Sequence, residues 1–556
     1  MKKTAFLFLL LAISVHSIAQ GTFSGDLMMN LNFFRRDTNI KASNNPLYDN
    51  ALSGNEAWLN LRYSVSGFTF FVRGDIFNNS NLKNPTSPST DFGIGAWSIS
   101  KDINDLSITL GSIYDQIGAG ILFRSYEDRG LLIDNAIMGL SLKYKLSDKI
   151  NLKAFGGQQR NNSSIGTNQA LHTPPFGPVI KGFNAEGDFS AGKVHVMPGV
   201  GVLNRTLDAG SMGSIVSKIN AQDTTRRFSP MYNMYAFSVY NSLTYKNFSW
   251  YVECAYKTHE AITVPGYYVP HATAVDSSAS SMLIDKPGNV QYTSINYGQK
   301  GIALSISGKR TENFVMRTSP NESLLNGMLN WQPMVAVLRP ERLMARYTPA
   351  SQDISEIAGG ASLALSPSDV SNFTLSYTHI NTLTGKKLYR EAYVDGFYHG
   401  FKSWVMQAGI QYMEYNNVAY ASHGSKEHPI VFAITPFADV TYRITEKHSL
   451  RAEVQYMASG QDYGSWAYMI VEFDIAPQWA ISASDMYNII PNKNNDNKNY
   501  KDPGNHYYSV YTSYTKGAHR FSLAYVKQVD GINCAGGVCR YEPAFSGVKA
   551  TLTSSF

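Results

Sequence analysis

The stretch 546–556, SGVKATLTSSF, decides the fold. Val548, Ala550, Leu552, Ser554 and Phe556 take alternate positions, with Gly547, Lys549, Thr551, Thr553 and Ser555 between them. Successive side chains of a strand point to opposite faces, so this is a strand with one face for an apolar medium and one for water; Ser554 is the one departure on the apolar side. Chain ends usually fray. An end that is patterned to its last residue needs a pairing partner.

The same alternation runs through the chain. In 241–257, NSLTYKNFSWYVECAYK, Leu243 and Tyr245 share a face with Phe248, Trp250, Val252, Cys254 and Tyr256 across a Lys246-Asn247 turn. Ser242, Thr244, Ser249, Glu253 and Lys257 take the other face. In 58–77, Leu59, Leu61, Tyr63 and Val65 lead through Ser66-Gly67 into Phe68, Phe70, Val72 and Ile76, opposite Asn60, Arg62, Arg73 and Asp75. Each pair reads as a hairpin with one greasy and one wet side.

Connections alternate short and long. SG, SDK, YKN, TEKHS and KGAH are short; 37–54, 79–90, 161–179, 207–229, 260–287, 314–352 and 489–503 are long and rich in Asn, Ser, Pro, Gly and Thr. Short turns on one rim and long loops on the other are the plan of a transmembrane up-and-down β-barrel, with about 24 strands expected in a range of roughly 20 to 26. Hydrocarbon cannot hydrogen-bond a backbone, so such a sheet must close, the last strand on the first. The expected first strand begins near Thr22, which leaves no room for a folded N-terminal plug.

Composition agrees. Aromatic residues make up 13% of the chain and charged residues only 16%, against about a quarter charged in soluble domains. No stretch after the N-terminus approaches about 18 consecutive apolar residues, so spanning helices are not expected. Residues 1–19 read as a secretory signal peptide: Lys2 and Lys3, an apolar run, then Ser17 and Ala19 before Gln20. The net charge of +6 includes those two lysines, and no basic run suggests nucleic acid.

The stretches GAGILFRSYEDRGLLIDNAIMG (118–139), LYREAYVDGFYHGFKSW (388–404) and GINCAGGVCRYEPAFSG (531–547), with SIAQ (17–20) and the terminal Phe, resemble an uncharacterised family of outer-membrane barrel proteins from Bacteroidetes-type bacteria. The resemblance implies a bacterial outer-membrane location and barrel architecture, and brings no catalytic residues. Phe556, closing an alternating strand, also resembles the signal read by outer-membrane assembly machinery. The expected partners are outer-membrane lipid, that machinery, and a protein that fills or caps the barrel.

No catalytic, cofactor or metal-binding constellation is present, so no enzyme is expected. The inward face should carry Arg62, Arg73, Asp75, Glu253, Lys257, Asp439, Arg443, Arg451, Glu453, Glu472 and Asp474, either lining a pore or pairing across strands. Mixed signs argue against strong ion selectivity. Two segments break the alternation: 115–135 and 314–352. The second is too apolar for a free surface loop yet carries Arg339, Arg342 and Arg346. It is read as an inward-folded constriction, its arginines facing lumen carboxylates such as Glu472 or Asp474, or as an outer cap. Cys534 and Cys539 bracket AGGV in an oxidising setting and are expected to form a local disulfide. Function is expected to be a channel for small hydrophilic solutes with a loop constriction, or else a plugged barrel serving as scaffold, adhesin or machine subunit.

Overall fold

The computed structural model describes residues 21–80, 88–131, 133–159, 177–263, 282–322, 326–351, 354–421, 429–490, 505–535 and 538–556. Residues 1–19, expected as a signal peptide, lie outside them. One sheet holds 25 segments. Val179–Gly187 and Phe189–Ala191 both pair with Val194–Thr206 as successive parts of one strand, so these 25 segments make 24 antiparallel strands.

The sheet closes. Thr22–Phe34 pairs with Ser53–Val65 on one side and with Phe545–Ser555 on the other, Met29 standing opposite both Ala57 and Leu552. Phe556 completes the seam: its N–H donates to the Gly25 carbonyl at 2.9 Å, and Gly25 N–H donates back to the Phe556 carbonyl at 2.8 Å. Its ring lies 6.2 Å from that of Phe23. The patterned tail is therefore the last stave of a closed wall. Closure leaves no unpaired edge at the seam, which hydrocarbon requires.

Neighbouring strands are joined alternately by tight turns and mostly longer connections, the exception being Ser371–Thr382 and Lys387–Tyr398, which only four residues join on the long-connection rim. At one rim, Phe68–Ser80 follows Ser53–Val65 after two residues, Ser66 and Gly67, with φ of 49° and 74°. Two successive left-handed residues match the twist of the paired strands. The other rim carries the long connections, one of which folds a helix, Ala209–Asn220, capped by Asp208 and packed through Met212, Ile215 and Ile219 on Ala261 and Leu283. The hairpin Phe248–Thr263 with Leu283–Gln299 rises further than the loop boundary 260–287 read from sequence, because its ladder continues to Thr263 opposite Leu283.

The burial pattern is the reverse of a soluble protein's. Phe70, Val72, Phe237, Val239, Leu375, Tyr377, Val510 and Leu523 are exposed on the outer face. Arg73, Asp75, Glu253 and Lys257 point inward and are buried. Near the tight-turn rim, outward aromatics pair across strands, Trp404 with Tyr442 at 4.5 Å and Trp479 with Tyr514 at 4.8 Å between ring centroids. Amphipathic rings in such a band mark a membrane interface. No helix among the described residues is long and apolar enough to cross a membrane; the strands do so. The chain is an outer-membrane β-barrel.

Twenty-four strands about 4.8 Å apart and tilted roughly 40° enclose a barrel about 45–50 Å across if circular. The large apolar clusters lie inside it, towards the long-loop rim.

Candidate functional site: a two-segment plug in the lumen

Two connections fold inward. The first, residues 114–136, joins Leu106–Ile113 to Ile137–Ser147. It contains two small ladders, Gln116–Ile117 with Phe123–Arg124 and Glu127–Asp128 with Ile133–Asp134. Ile117, Ile121, Leu122 and Phe123 are fully buried, against inward wall residues that are themselves apolar: Phe155, Ile180, Leu203, Ala236 and Val290. Burying a side chain of this size contributes about 1.5–3 kcal/mol, so the four hold the segment firmly.

Wall charges fix its ends and its deepest turn. Asp115 accepts from Lys153 at 2.6 Å and faces Lys143 at 2.9 Å. Burial would raise the Asp115 carboxyl, but Lys153 and Lys143 outweigh it and hold the group below the usual range. Arg73 lies among Asp75 at 2.7 Å, Asp134 at 2.7 Å and Glu127 at 3.0 Å. At the turn, Ala119 N–H donates to Glu253 Oε2 at 2.9 Å, and Tyr251 donates to the same oxygen at 2.6 Å. Gly118, at φ +56°, makes this approach possible; a Cβ there would stand 2.8 Å from Glu253 Oε2.

The second segment, residues 313–355, joins Ile302–Glu312 to Glu356–Ser368. Its first part packs on the first segment. Arg124 N–H donates to the Leu329 carbonyl at 2.9 Å and Trp331 N–H to the Gly120 carbonyl at 2.9 Å. Asn330 reaches the Ile121 carbonyl at 3.1 Å and Asn135 the Met328 carbonyl at 3.0 Å. The Arg124 guanidinium stacks 4.8 Å over Trp331. The two segments thus form one body.

A buried charge triad carries this part. Glu260 binds Arg205 at 2.8 Å and Lys257 at 2.5 Å. Lys257 donates onward to the Val315 carbonyl at 2.7 Å, and Arg205 to the Arg317 carbonyl at 3.3 Å. At the neck, Lys309 pairs with Glu356 at 2.7 Å, and Ser351 donates to the Gln332 carbonyl at 2.7 Å.

The second part dips into the barrel and returns. Arg339 pairs with Glu391 at 2.9 Å, bonds Ser376, and lies 3.7 Å over the Tyr393 ring. Leu343 N–H donates to Gln455 Oε1 at 2.7 Å. Tyr347 donates to Asp462 at 2.8 Å, and Arg346 stacks 4.6 Å over Trp466 and 4.8 Å over Tyr463.

The residues singled out from sequence therefore divide. Arg73, Asp75, Glu253 and Lys257 grip the plug or the charges that grip it. Arg339 pairs with Glu391, not with the Glu472 or Asp474 anticipated for it, because the dip descends along Lys387–Tyr398. Arg346 finds aromatic rings instead of a carboxylate. Arg342 is exposed and has no carboxylate partner among the described residues. Asp439 accepts from Arg451 at 2.7 Å, and Arg451 also binds Glu453. Glu472 stands opposite Arg451 in register, and Asp474 accepts from Ser449 at 3.3 Å. Arg62 and Arg443 are exposed, Arg62 lying 5.0 Å over Phe71. Backbone pairing puts Cys534 opposite Cys539 in the short hairpin Gly531–Ala535 with Val538–Glu542; their side chains, and so the expected disulfide, lie outside the described ones.

Arg205, Glu260, Lys309, Glu356 and Glu391 escaped the sequence reading. The signal for Arg205 was blurred because Leu203 and Gly201, on its own face, are not polar. Among the described residues, no three His, Cys, Asp or Glu side chains converge as metal ligands.

The model of the family of unknown function DUF6029 matches residues 1–556, and the chain belongs to that family. No curated protein matches it. Among solved structures, the siderophore receptor PirA from Pseudomonas aeruginosa is similar at 8% identity, with a TM-score of 0.42 over 97% of this chain and 81% of that one. The P pilus usher (PapC) translocation pore gives 9% identity and a TM-score of 0.43 over 96% and 99%. The Escherichia coli P pilus tip assembly intermediate PapC-PapD-PapK-PapG gives 9% and 0.48 over 97% and 62%.

Proposed function

We propose that this barrel is a non-enzymatic channel for small hydrophilic solutes, narrowed by its two-segment plug. The observation that carries the reading is where the plug stops. Towards the tight-turn rim the inward face is wet: Thr244, Asn296, Ser305 and Lys145 are exposed. Hydroxyl, amide and charged groups lining a water-filled half-lumen suit polar solutes with little discrimination by charge. A second reading, a closed barrel serving as scaffold or machine subunit, draws on the hydrogen bonds that join the two segments into one body. On either reading the last strand, Phe545–Ser555 with Phe556, is what the barrel-assembly machinery recognises.

Because Ser351 and Gln332 already meet, residues 334–349 can be replaced by a short Gly-Ser bridge. Single-channel recording in planar bilayers should show small discrete openings for the wild type and several-fold larger ones for the bridged variant. A silent wild type with a conducting variant supports the closed-scaffold reading. Silence of both, with both migrating as folded barrels in unheated gels, overturns the channel.

A further inference from the structure

We propose that Glu341 makes the dip of the second segment a proton-controlled latch, docked on the lumen wall in acid and released as the pH rises. This rests on the channel reading only for its consequence, passage of solute; the latch itself is a statement about docking. Glu341 is 7% exposed, and its Oε2 has no hydrogen-bond partner. It sits between two docked neighbours: Arg339 against Tyr393, and Leu343 against Gln455. It therefore faces the wall between Lys387–Tyr398 and His448–Met457, whose inward carboxylates at this depth are Asp395 and Glu453, both buried.

Apart from Arg342, which is exposed and has no carboxylate partner among the described residues, the cations nearby are committed elsewhere. Arg339, on Glu341's own segment, is paired with Glu391. Arg451 is shared by Glu453 and by Asp439 of Ile430–Arg443. Arg342 is exposed, and Arg346 is stacked among rings. From the strand Trp404–Asn416, Gln407 bonds Asp395 at 2.8 Å and Gln411 bonds Glu391 at 2.8 Å, while its one carboxylate, Glu414, stands opposite Arg390 and is paired with Lys387. Carboxylates thus outnumber cations where the dip touches the wall, and like charges in a buried place cannot all stay ionised cheaply.

Burial pushes the Glu341 carboxyl up, and Glu453 and Asp395 add to this against the lowering by its own backbone N–H and by Arg339. A carboxyl raised in the docked state favours docking when protonated. Docking is then strongest below the ordinary glutamate range and weakens as the pH rises through the raised value.

Hydrogen exchange of the full-length protein in detergent tests this, read on peptides covering 335–347. The ratio of wild-type to Glu341→Gln exchange at one pH cancels the intrinsic chemistry. The ratio should be near one at pH 5 and about ten or more at pH 8, because glutamine mimics the protonated acid. Asp395→Asn, which removes a facing charge and leaves Glu341, should slow wild-type exchange at pH 8 in the same direction. Ratios near one at both pH values, or a variant that exchanges faster than wild type at pH 5, overturn the latch. A pH-dependent ratio in a protein that conducts at neither pH retires the channel reading and leaves the latch standing.

Discussion

The two halves of the lumen are built from the same strands with the same period, yet their inward charges do opposite work. Towards the long loops, Lys257, Arg205 and Glu260 are all buried; both cations bond Glu260, and each also donates to a plug carbonyl. Towards the tight turns, Lys145 pairs with Asp148 at 2.9 Å in open solvent. A charge taken out of water must be paired and hydrogen-bonded, and losing one partner costs far more there than at a surface. The filled half is thus a socket and the wet half a wall, and the difference comes from what each one touches.

Three substitutions press on that contrast. Glu260→Ala strips one carboxylate from two buried cations and should destabilise the plug by about 3–5 kcal/mol. Hydrogen exchange on 313–332 would reveal it as lost protection, with bilayer openings growing towards those of the bridged variant. Unchanged protection would mean that the triad is not what carries the segment. Gly118→Val should act less strongly, by about 1–3 kcal/mol, since it places a branched side chain against Glu253 at a left-handed turn. Its effect should centre on 116–124, and a wild-type exchange pattern there would show that the turn does not need its close approach. Lys145→Ala should leave melting of the folded band and conductance as they are, the pair being solvated. A clear drop in melting temperature would erase the distinction between socket and wall.

Much of the architecture was legible. Leu243, Trp250 and Tyr256 point out and Glu253 and Lys257 point in, as their alternation requires. The two inward segments stood out because they broke that alternation, and the second also because it is too apolar for a free surface loop. The partners were not legible. Arg339 could have met any inward acid, and its choice of Glu391 depends on the path of the dip. Apolar inward residues such as Phe155, Ile180 and Leu203 were also hidden, because a pattern read for a wet lumen expects polar groups there.

By itself the sequence determined that this chain is a closed membrane barrel, which connections are tight, and that its last residue belongs to the wall. Those follow from a period of two and from the medium on each face, which are local properties. Only the tertiary structure decided what fills the barrel and which charges hold it. Asn135 meets Met328, Lys257 meets Val315 and Arg339 meets Glu391 across long separations in the chain. Such contacts are selected by desolvation and hydrogen-bond satisfaction once the wall has closed, and strand periodicity carries no record of them.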